Sequence, residues 1–189
     1  MTSEPHPWAA NLADLHAKVW TQLIRGVGDR RSAARHPTLA TVTPGGMPRA
    51  RTAVLRAANS KAATLDLHTD LRSAKIAELE TTPHAALHVW DSTAHLQIRI
   101  EASVAILTGA DAADIWARMP EPARSIYGVV PAPGTVITDS LGYGKNPEAA
   151  AFALLRLRIL AMDVLHLGPH HRRARFDRDG GWQGQWLVP

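Results

Sequence analysis

Between residues 51 and 75 stand Arg51, Arg56, Arg72 and Lys75, with Thr69 and Ser73 among them and Lys61 in an intervening turn. Cations and small hydroxyls in this combination suit an anion. A phosphate monoester carries close to two charges and three acceptor oxygens; arginine meets it through two parallel N–H groups, lysine as a point charge. The stretch Leu71-Arg-Ser-Ala-Lys75 opens a helical pattern, and a helix N-terminus presents free N–H groups and the positive end of a dipole. The chemistry these types point to is therefore the binding of a phosphorylated small molecule. On residue types alone, solvated charges on a hairpin and a helix are the commoner arrangement. The order of the residues decides for a site.

Two strands and a helix start must bring these groups together. Pro48 to Arg56 reads as one strand, after Leu39–Thr43 and a Pro44-Gly-Gly46 turn. Leu65 to Thr69 alternates apolar with polar. Leu71 to Leu79 reads as a short helix capped by Ser73 or Asp70. Upstream, Leu12, Leu15, Val19 and Leu23 give Asn11–Arg25 one apolar face, which Gly26 and Gly28 are expected to stop. Downstream, Ala85–Trp90 is a further strand. Leu96 to Ile106 shows the clearest two-residue period: Leu96, Ile98, Ile100, Ala102, Val104 and Ile106 face one way, Gln97, Arg99, Glu101 and Ser103 the other. Ala110–Met119 reads as a helix and residues 120–147 as a long loop rich in Pro and Gly. Phe152–Met162 is a strand, His170–Arg175 a basic turn, and Trp182–Val188 a last strand.

The sum is a mainly β chain of six to eight antiparallel strands with two or three helices, which hides its edges best as a β-barrel with flanking helices. The expected organisation is an N-terminal arm and helix over residues 1–34 and one barrel domain over 35–189. At 189 residues and 46% apolar, the chain can bury a sizeable core. Its formal charge of +4 suits small anionic ligands without requiring nucleic acid. The absence of cysteine excludes disulfides, thiolate metal sites and cysteine nucleophiles, and fits a cytoplasmic location. No apolar run approaches the ~20 residues of a membrane span. The ten histidines fall at spacings that do not make a metal site: His170 and His171 diverge on a strand, and Gly168-Pro169 breaks the helical spacing of His166 and His170.

Arg51-Thr-Ala-Val-Leu-Arg56, Leu67-His-Thr-Asp-Leu-Arg-Ser-Ala-Lys75, Leu96-Gln-Ile-Arg-Ile100 and the closing Trp186-Leu-Val-Pro189, in that order, resemble the FMN-binding split β-barrel of the pyridoxamine 5'-phosphate oxidase superfamily. The likeness covers residues 35–189 and is nearest to its short oxidase-like FMN-binding domains. It implies FMN at the interface of a homodimer, and an oxidoreductase passing hydride between a small substrate and the flavin. Residue by residue, Arg51 and Lys75 would hold the phosphate with Thr69, joined by Ser73 and Arg72. Thr52 lies in the same motif. Backbone groups of Ala53, Val54 and Leu55 would meet the ring edge, and Arg56 would stand by the ring on the substrate side. Gln97 would reach the flavin from the partner subunit, although taken singly it is an ordinary solvent-facing strand residue. His68 sits where the family has an aromatic; it either contacts FMN or pairs with a neighbouring strand. Ser125, Arg173 and Arg175 are the candidates for an anionic substrate, Ser125 equally for a capping role.

The sequence departs from the true oxidases where they carry Arg directly before the helix-start Lys, here Ala74, and where they carry a Trp against the flavin, here Leu165. Two alternatives follow: a flavin-binding module without turnover, or the same barrel loaded with a deazaflavin or haem.

Overall fold

The structure, a computed structural model, describes residues 6–189. Among these residues nine strands form one antiparallel sheet, one more than the upper end of the expected range. The strands are β1 (Thr38–Val42), β2 (Pro48–Thr52), β3 (Leu55–Asn59), β4 (Thr64–Asp70) and β5 (His84–Asp91), followed by β6 (Leu96–Leu107), β7 (Phe152–Leu167), β8 (His171–Asp177) and β9 (Gln185–Leu187). Their order is β2-β1-β5-β6-β7-β4-β3, with β8 and β9 continuing from β7. Part of the excess over the expectation comes from Pro48–Asn59, which is two strands. β2 pairs with β1, where Arg51 stands opposite Leu39; β3 pairs with β4, where Leu55 stands opposite Leu67. Ala53 and Val54 lie between and belong to neither strand. The sheet is therefore not closed by hydrogen bonds: its two ends are joined by the chain itself, and a gap opens between β1 and β4.

β7 makes this possible through its length of 16 residues. It pairs with β6 along one edge. On the other edge it pairs with β4 from Phe152 to Arg158 and with β8 from Ala161 to Leu167. β8 replaces the basic turn expected at His170–Arg175. Its sequence hides the period because arginines occupy both faces, and only Ala174 and Phe176 point into the core.

The inward residues of the alternating strands, Leu65, Leu67, Leu96, Ile98, Ile100, Leu155, Leu157 and Ile159, form one core with Leu15, Val19 and Leu23 of α1 (Leu12–Gly28). Asn11 caps α1 by accepting from the N–H groups of Ala13 and Asp14 at 2.8 and 3.1 Å. The helix runs through Gly26 and stops at Gly28, the second of the two glycines expected to end it. Gly26 is needed for proximity: a Cβ there would lie 2.6 Å from the backbone of Ala34. A smaller core under α3 (Ala110–Arg118) joins Met119, Tyr127, Phe152 and Leu154. This second layer explains why Phe152 to Leu155 are buried on both faces of β7. The helix after β4, α2 (Ala74–Thr81), begins three residues later than expected. Among the described residues no helix is long and apolar enough to cross a membrane. The arm expected at the start of residues 1–34 lies partly outside the described residues; Pro7–Ala10 form a 3-10 turn.

Leu157 is 0% exposed at the centre of β7. Leu157→Ala is expected to cost about 2–5 kcal/mol, read as a lower urea midpoint at unchanged slope.

Candidate functional site

The gap between β1 and β4 is a cavity of about 290 Å³. β2 and the two residues after it supply Arg51, Thr52, Ala53 and Val54, and β3 supplies Arg56. β4 and the turn into α2 supply His68, Thr69, Asp70, Ser73 and Lys75. Leu39, Leu67 and Leu155 form an apolar floor, and the loop after α4 (Glu121–Arg124) adds Ile126, Tyr127 and Pro133.

Lys75 anchors one end. Its Nζ donates to Thr69 Oγ1 at 2.9 Å and Ser73 Oγ at 3.0 Å, and the two hydroxyls lie 3.1 Å apart. Ser73 occupies the N-cap position of α2, but its hydroxyl makes no cap hydrogen bond. The first turn of α2 also carries no acidic residue, so the positive end of the helix is left uncompensated beside Lys75. Burial lowers the Lys75 pKa, and the charge of Arg51 lowers it further. An ammonium bonded only to hydroxyls, in a partly desolvated site beside a second cation, is a site short of negative charge.

Arg51 is held differently. One Nη donates to Glu78 Oε2 at 2.9 Å and the other to the Thr41 hydroxyl, which itself donates to Glu78. Glu78, on α2 and 3% exposed, thereby fixes the guanidinium at the cavity wall. Burial raises the Glu78 pKa, but hydrogen bonds from Thr41 and Arg51 outweigh it, and the net direction is down.

At the other end stands Arg56. Its Nε is buried without a hydrogen-bond partner. Its guanidinium faces the Tyr127 hydroxyl, whose pKa burial raises against the opposing pull of Arg56. His68 packs edge-on against Phe152 at 5.0 Å. Burial first, and the charge of Arg56 second, push its pKa down to about 4, so it is neutral at pH 7. Among the described residues no carboxylate lies within ion-pair distance of either Lys75 or Arg56.

The remaining candidates fall outside the cavity. Arg72 pairs with Asp70 at 2.7 Å and donates to the Val129 carbonyl at 3.0 Å. It ties the long loop to β4, with Asp70 also accepting from Gly128 N at 3.0 Å. Gly128 has φ +101, and a Cβ there would strike the Asn146 carbonyl at 2.0 Å, so only glycine makes this contact. Leu55 is in the core, though its carbonyl accepts from Arg35 at 3.1 Å. Ser125 donates to the Pro122 carbonyl at 2.8 Å, a helix-end bond. Gln97, Arg173 and Arg175 lie on the outer face of the sheet. Gln97 is 3.4 Å from His88, Arg173 pairs with Asp163, and Arg175 pairs with Glu101 and Asp177. Sequence reasoning missed Tyr127 and Glu78. Tyr127 follows Ser125 by two residues as the first aromatic of an aromatic-poor loop. Glu78 lies one helical turn past Lys75, where an acid can face the same side.

Three comparisons bear on this arrangement. The family model described as pyridoxamine 5'-phosphate oxidase, FMN-binding domain, matches residues 8–108. The pyridoxine/pyridoxamine 5'-phosphate oxidase 2 of Arabidopsis thaliana is 30% identical over 177 residues, covering 83% of this chain and 87% of its own. The pyridoxine/pyridoxamine 5'-phosphate oxidase of Microcystis aeruginosa is 40% identical over 87 residues, 46% of this chain and 39% of its own. A solved pyridoxamine 5'-phosphate oxidase-related, FMN-binding protein from Nostoc punctiforme superposes with a TM-score of 0.74 at 25% identity, covering 100% of both chains.

Two measurements test the electrostatics of the site. The pKa values of Asp70 and Glu78 lie below their ordinary 3.8 and 4.5. Carboxylates depressed by folding contribute stability that is complete above those ordinary values and is lost as pH falls through the lower folded ones. The urea midpoint is therefore expected to hold from pH 7 to 5 and fall below about 4, with a flatter profile in Asp70→Asn/Glu78→Gln. In NMR, the His68 ring resonances are expected to titrate with a midpoint of about 4.

Proposed function

Because this chain belongs to the pyridoxamine 5'-phosphate oxidase FMN-binding family, we propose that the cavity holds FMN and that the protein is an FMN-dependent oxidoreductase acting on a small molecule. The observation that carries the reading is the pair of cations without carboxylate partners, Lys75 at one end of the cavity and Arg56 at the other. A ligand bearing a dianionic phosphate and an electron-poor ring answers both. Lys75, Thr69, Ser73 and the start of α2 would take the phosphate, with Arg51 held ready by Glu78 and Thr41. Ala53 and Val54 belong to no strand and line the cavity. Groups there, with the Arg56 guanidinium, would meet the ring; a cation beside it favours the reduced, anionic form. Bound FMN would supply two-electron chemistry, and the protein its orientation and field.

A homodimer belongs to the same proposal. The cavity lies at the lower edge of the ~300–1,000 Å³ of ligand pockets, which supports a second copy completing its envelope. Gln97, on the outer face with Arg173 and Arg175, is then a residue for the partner's site. A cytoplasmic location fits a cysteine-free chain.

The visible spectrum of the purified protein, with the mass of whatever heat releases, tests the cofactor. A flavin band and FMN are expected; a deazaflavin or haem, or a protein that stays colourless when FMN is added, would refute the assignment. Bleaching by NADH, NADPH or an amine separates an oxidoreductase from a flavin-binding module without turnover. Lys75→Ala is expected to weaken FMN binding by about 1.5–3 kcal/mol, roughly 10–100-fold, measured by fluorescence quenching of added FMN. An unchanged affinity would remove Lys75 from the site.

A further inference from the structure

A second cavity, of about 360 Å³, lies apart from the first and shares no lining residue with it. That volume falls within the ~300–1,000 Å³ of ligand pockets. One wall is α1, where Lys18, Gln22 and Arg25 are spaced by four and three residues and so share a face. Arg31 and Ser32, from the segment after α1, continue that wall. Gln22 is 7% exposed, and its amide makes no hydrogen bond among the described residues. The Ser32 hydroxyl is likewise buried without a hydrogen-bond partner. Lys18 is half-buried, with its Nζ 5.3 Å from the centre of the Trp8 ring. Among the described residues no carboxylate lies within ion-pair distance of Lys18. Arg25 and Arg31 share a single acid, Asp29, at 2.8 and 3.9 Å. Three cations against one carboxylate leave this wall two positive charges in excess. The opposite wall is the end of β5 and the turn after it. There Asp91 accepts through Oδ1 from the N–H groups of Thr93 and Ala94 at 3.0 and 3.1 Å and keeps Oδ2 for another donor; Ser92 and Thr93 add hydroxyls.

We propose that this cavity is a second binding site, for a small phosphate monoester with a hydroxylated, non-aromatic body such as a pentose phosphate. A phosphate monoester carries ≈ −1.5 to −2 at pH 7, which matches the excess on the α1 wall. Lys18 and Arg25 supply charged donors to its oxygens, and the Gln22 amide a neutral one. A monocarboxylate would answer only one of the two excess charges. Asp91 repels the phosphate, which keeps it on the α1 side, and accepts from hydroxyls of the body instead. Ser92 and Thr93 can donate to that body or accept from it. An aromatic body gains little here, because the Trp8 ring is already packed against Lys18, His6 and His166. The inference is independent of the flavin reading, since none of these residues lines the first cavity.

The test is calorimetric titration at pH 7 of the full chain saturated with FMN, with ribose 5-phosphate, ribose, phenyl phosphate and inorganic phosphate as probes. Ribose 5-phosphate is expected to bind at least about tenfold tighter than each of the others, the value of one charged hydrogen bond. Lys18→Met should weaken it by about tenfold or more, and Gln22→Met, which keeps the bulk, by several-fold, both with flavin content unchanged. No binding of ribose 5-phosphate overturns the proposal. So does equal or tighter binding of phenyl phosphate or inorganic phosphate. Binding that shifts the flavin band and ignores Lys18→Met belongs to the first cavity and also overturns it. If Gln22→Met fails to fold, Lys18→Met decides: a loss of about tenfold supports the site, and no loss overturns it. A protein that takes up no flavin is titrated in the same way. Loss of ribose 5-phosphate affinity in Lys18→Met then supports this site although the cofactor reading has failed.

Discussion

The site depends on one run of chain having two partners. Within Pro48 to Asn59, the first strand pairs with β1 and the second with β4. β1 and β4 stand at opposite ends of a chain of pairings that passes through β5, β6 and β7. A single strand cannot satisfy both without changing neighbours, and the change happens at Ala53 and Val54. The Ala53 N–H finds the Pro37 carbonyl at 2.9 Å, outside the ladder. A strand pair leaves no room for a ligand; a partner change does. Arg51 is next to last in β2 and Arg56 is second in β3, so the switch sets one cation on each side of the opening. The 16-residue β7 is the counterpart of this device, since it too changes partner midway, from β4 to β8.

Charge placement follows a second rule. Each carboxylate at the cavity wall is already engaged: Glu78 by Arg51 and Thr41, Asp70 by Arg72 and Gly128. Engaged carboxylates hold cations in position, and although Glu78 and Asp70 pull the Lys75 pKa up, burial and the charge of Arg51 outweigh them. Lys75 and Arg56 are partnered only by neutral groups. Bringing two cations into a partly desolvated cleft is unfavourable unless an anion comes with them. Desolvation lowers the Lys75 pKa, and the charge of Arg56 adds to the lowering at His68. The protein holds this imbalance because the surrounding core is large and fixed, from Leu39 and Leu67 beneath the cleft to Phe152 behind His68.

The sequence made local patterns legible and left tertiary choices hidden. Leu96–Ile106 declared itself by strict alternation, because one face meets the core and the other stays polar. The stretch from Arg51 to Lys75 declared itself because most of the cavity wall comes from three strands and a turn close in sequence. The break at Ala53 was invisible, since no glycine, proline or turn residue marks it and only the pairing neighbours change. β8 was read as a basic turn because arginines occupy its inward-leaning as well as its outer positions; the outer Arg173 and Arg175 are matched by Asp163 on the neighbouring β7 and by Glu101, 74 residues away in sequence. Gly26 and Gly28 looked like a helix stop, and Gly28 is one. At Gly26 the missing side chain serves contact with Ala34, a need that no local rule encodes. Tyr127 reaches Arg56 across about seventy residues, through a loop whose anchor is the pairing of Asp70 with Gly128.

The helix that precedes the sheet is tied to the site by the same economy of charges. Arg35, the last residue of the 3-10 turn that begins at Ala33, donates to the carbonyls of Val27 and Leu55. Val27 lies at the C-terminal end of α1, where unsatisfied carbonyls gather, and Leu55 immediately precedes Arg56. One guanidinium therefore closes the helix end and holds the first residue of β3. Burial, and then the charge of Arg56, lower the Arg35 pKa, so the two guanidinium groups sense each other. With Leu15, Val19 and Leu23 inside the same core as Leu55, the N-terminal helix is part of the cleft's foundation. Movement of α1 would shift Leu55, and with it the residue that faces Tyr127.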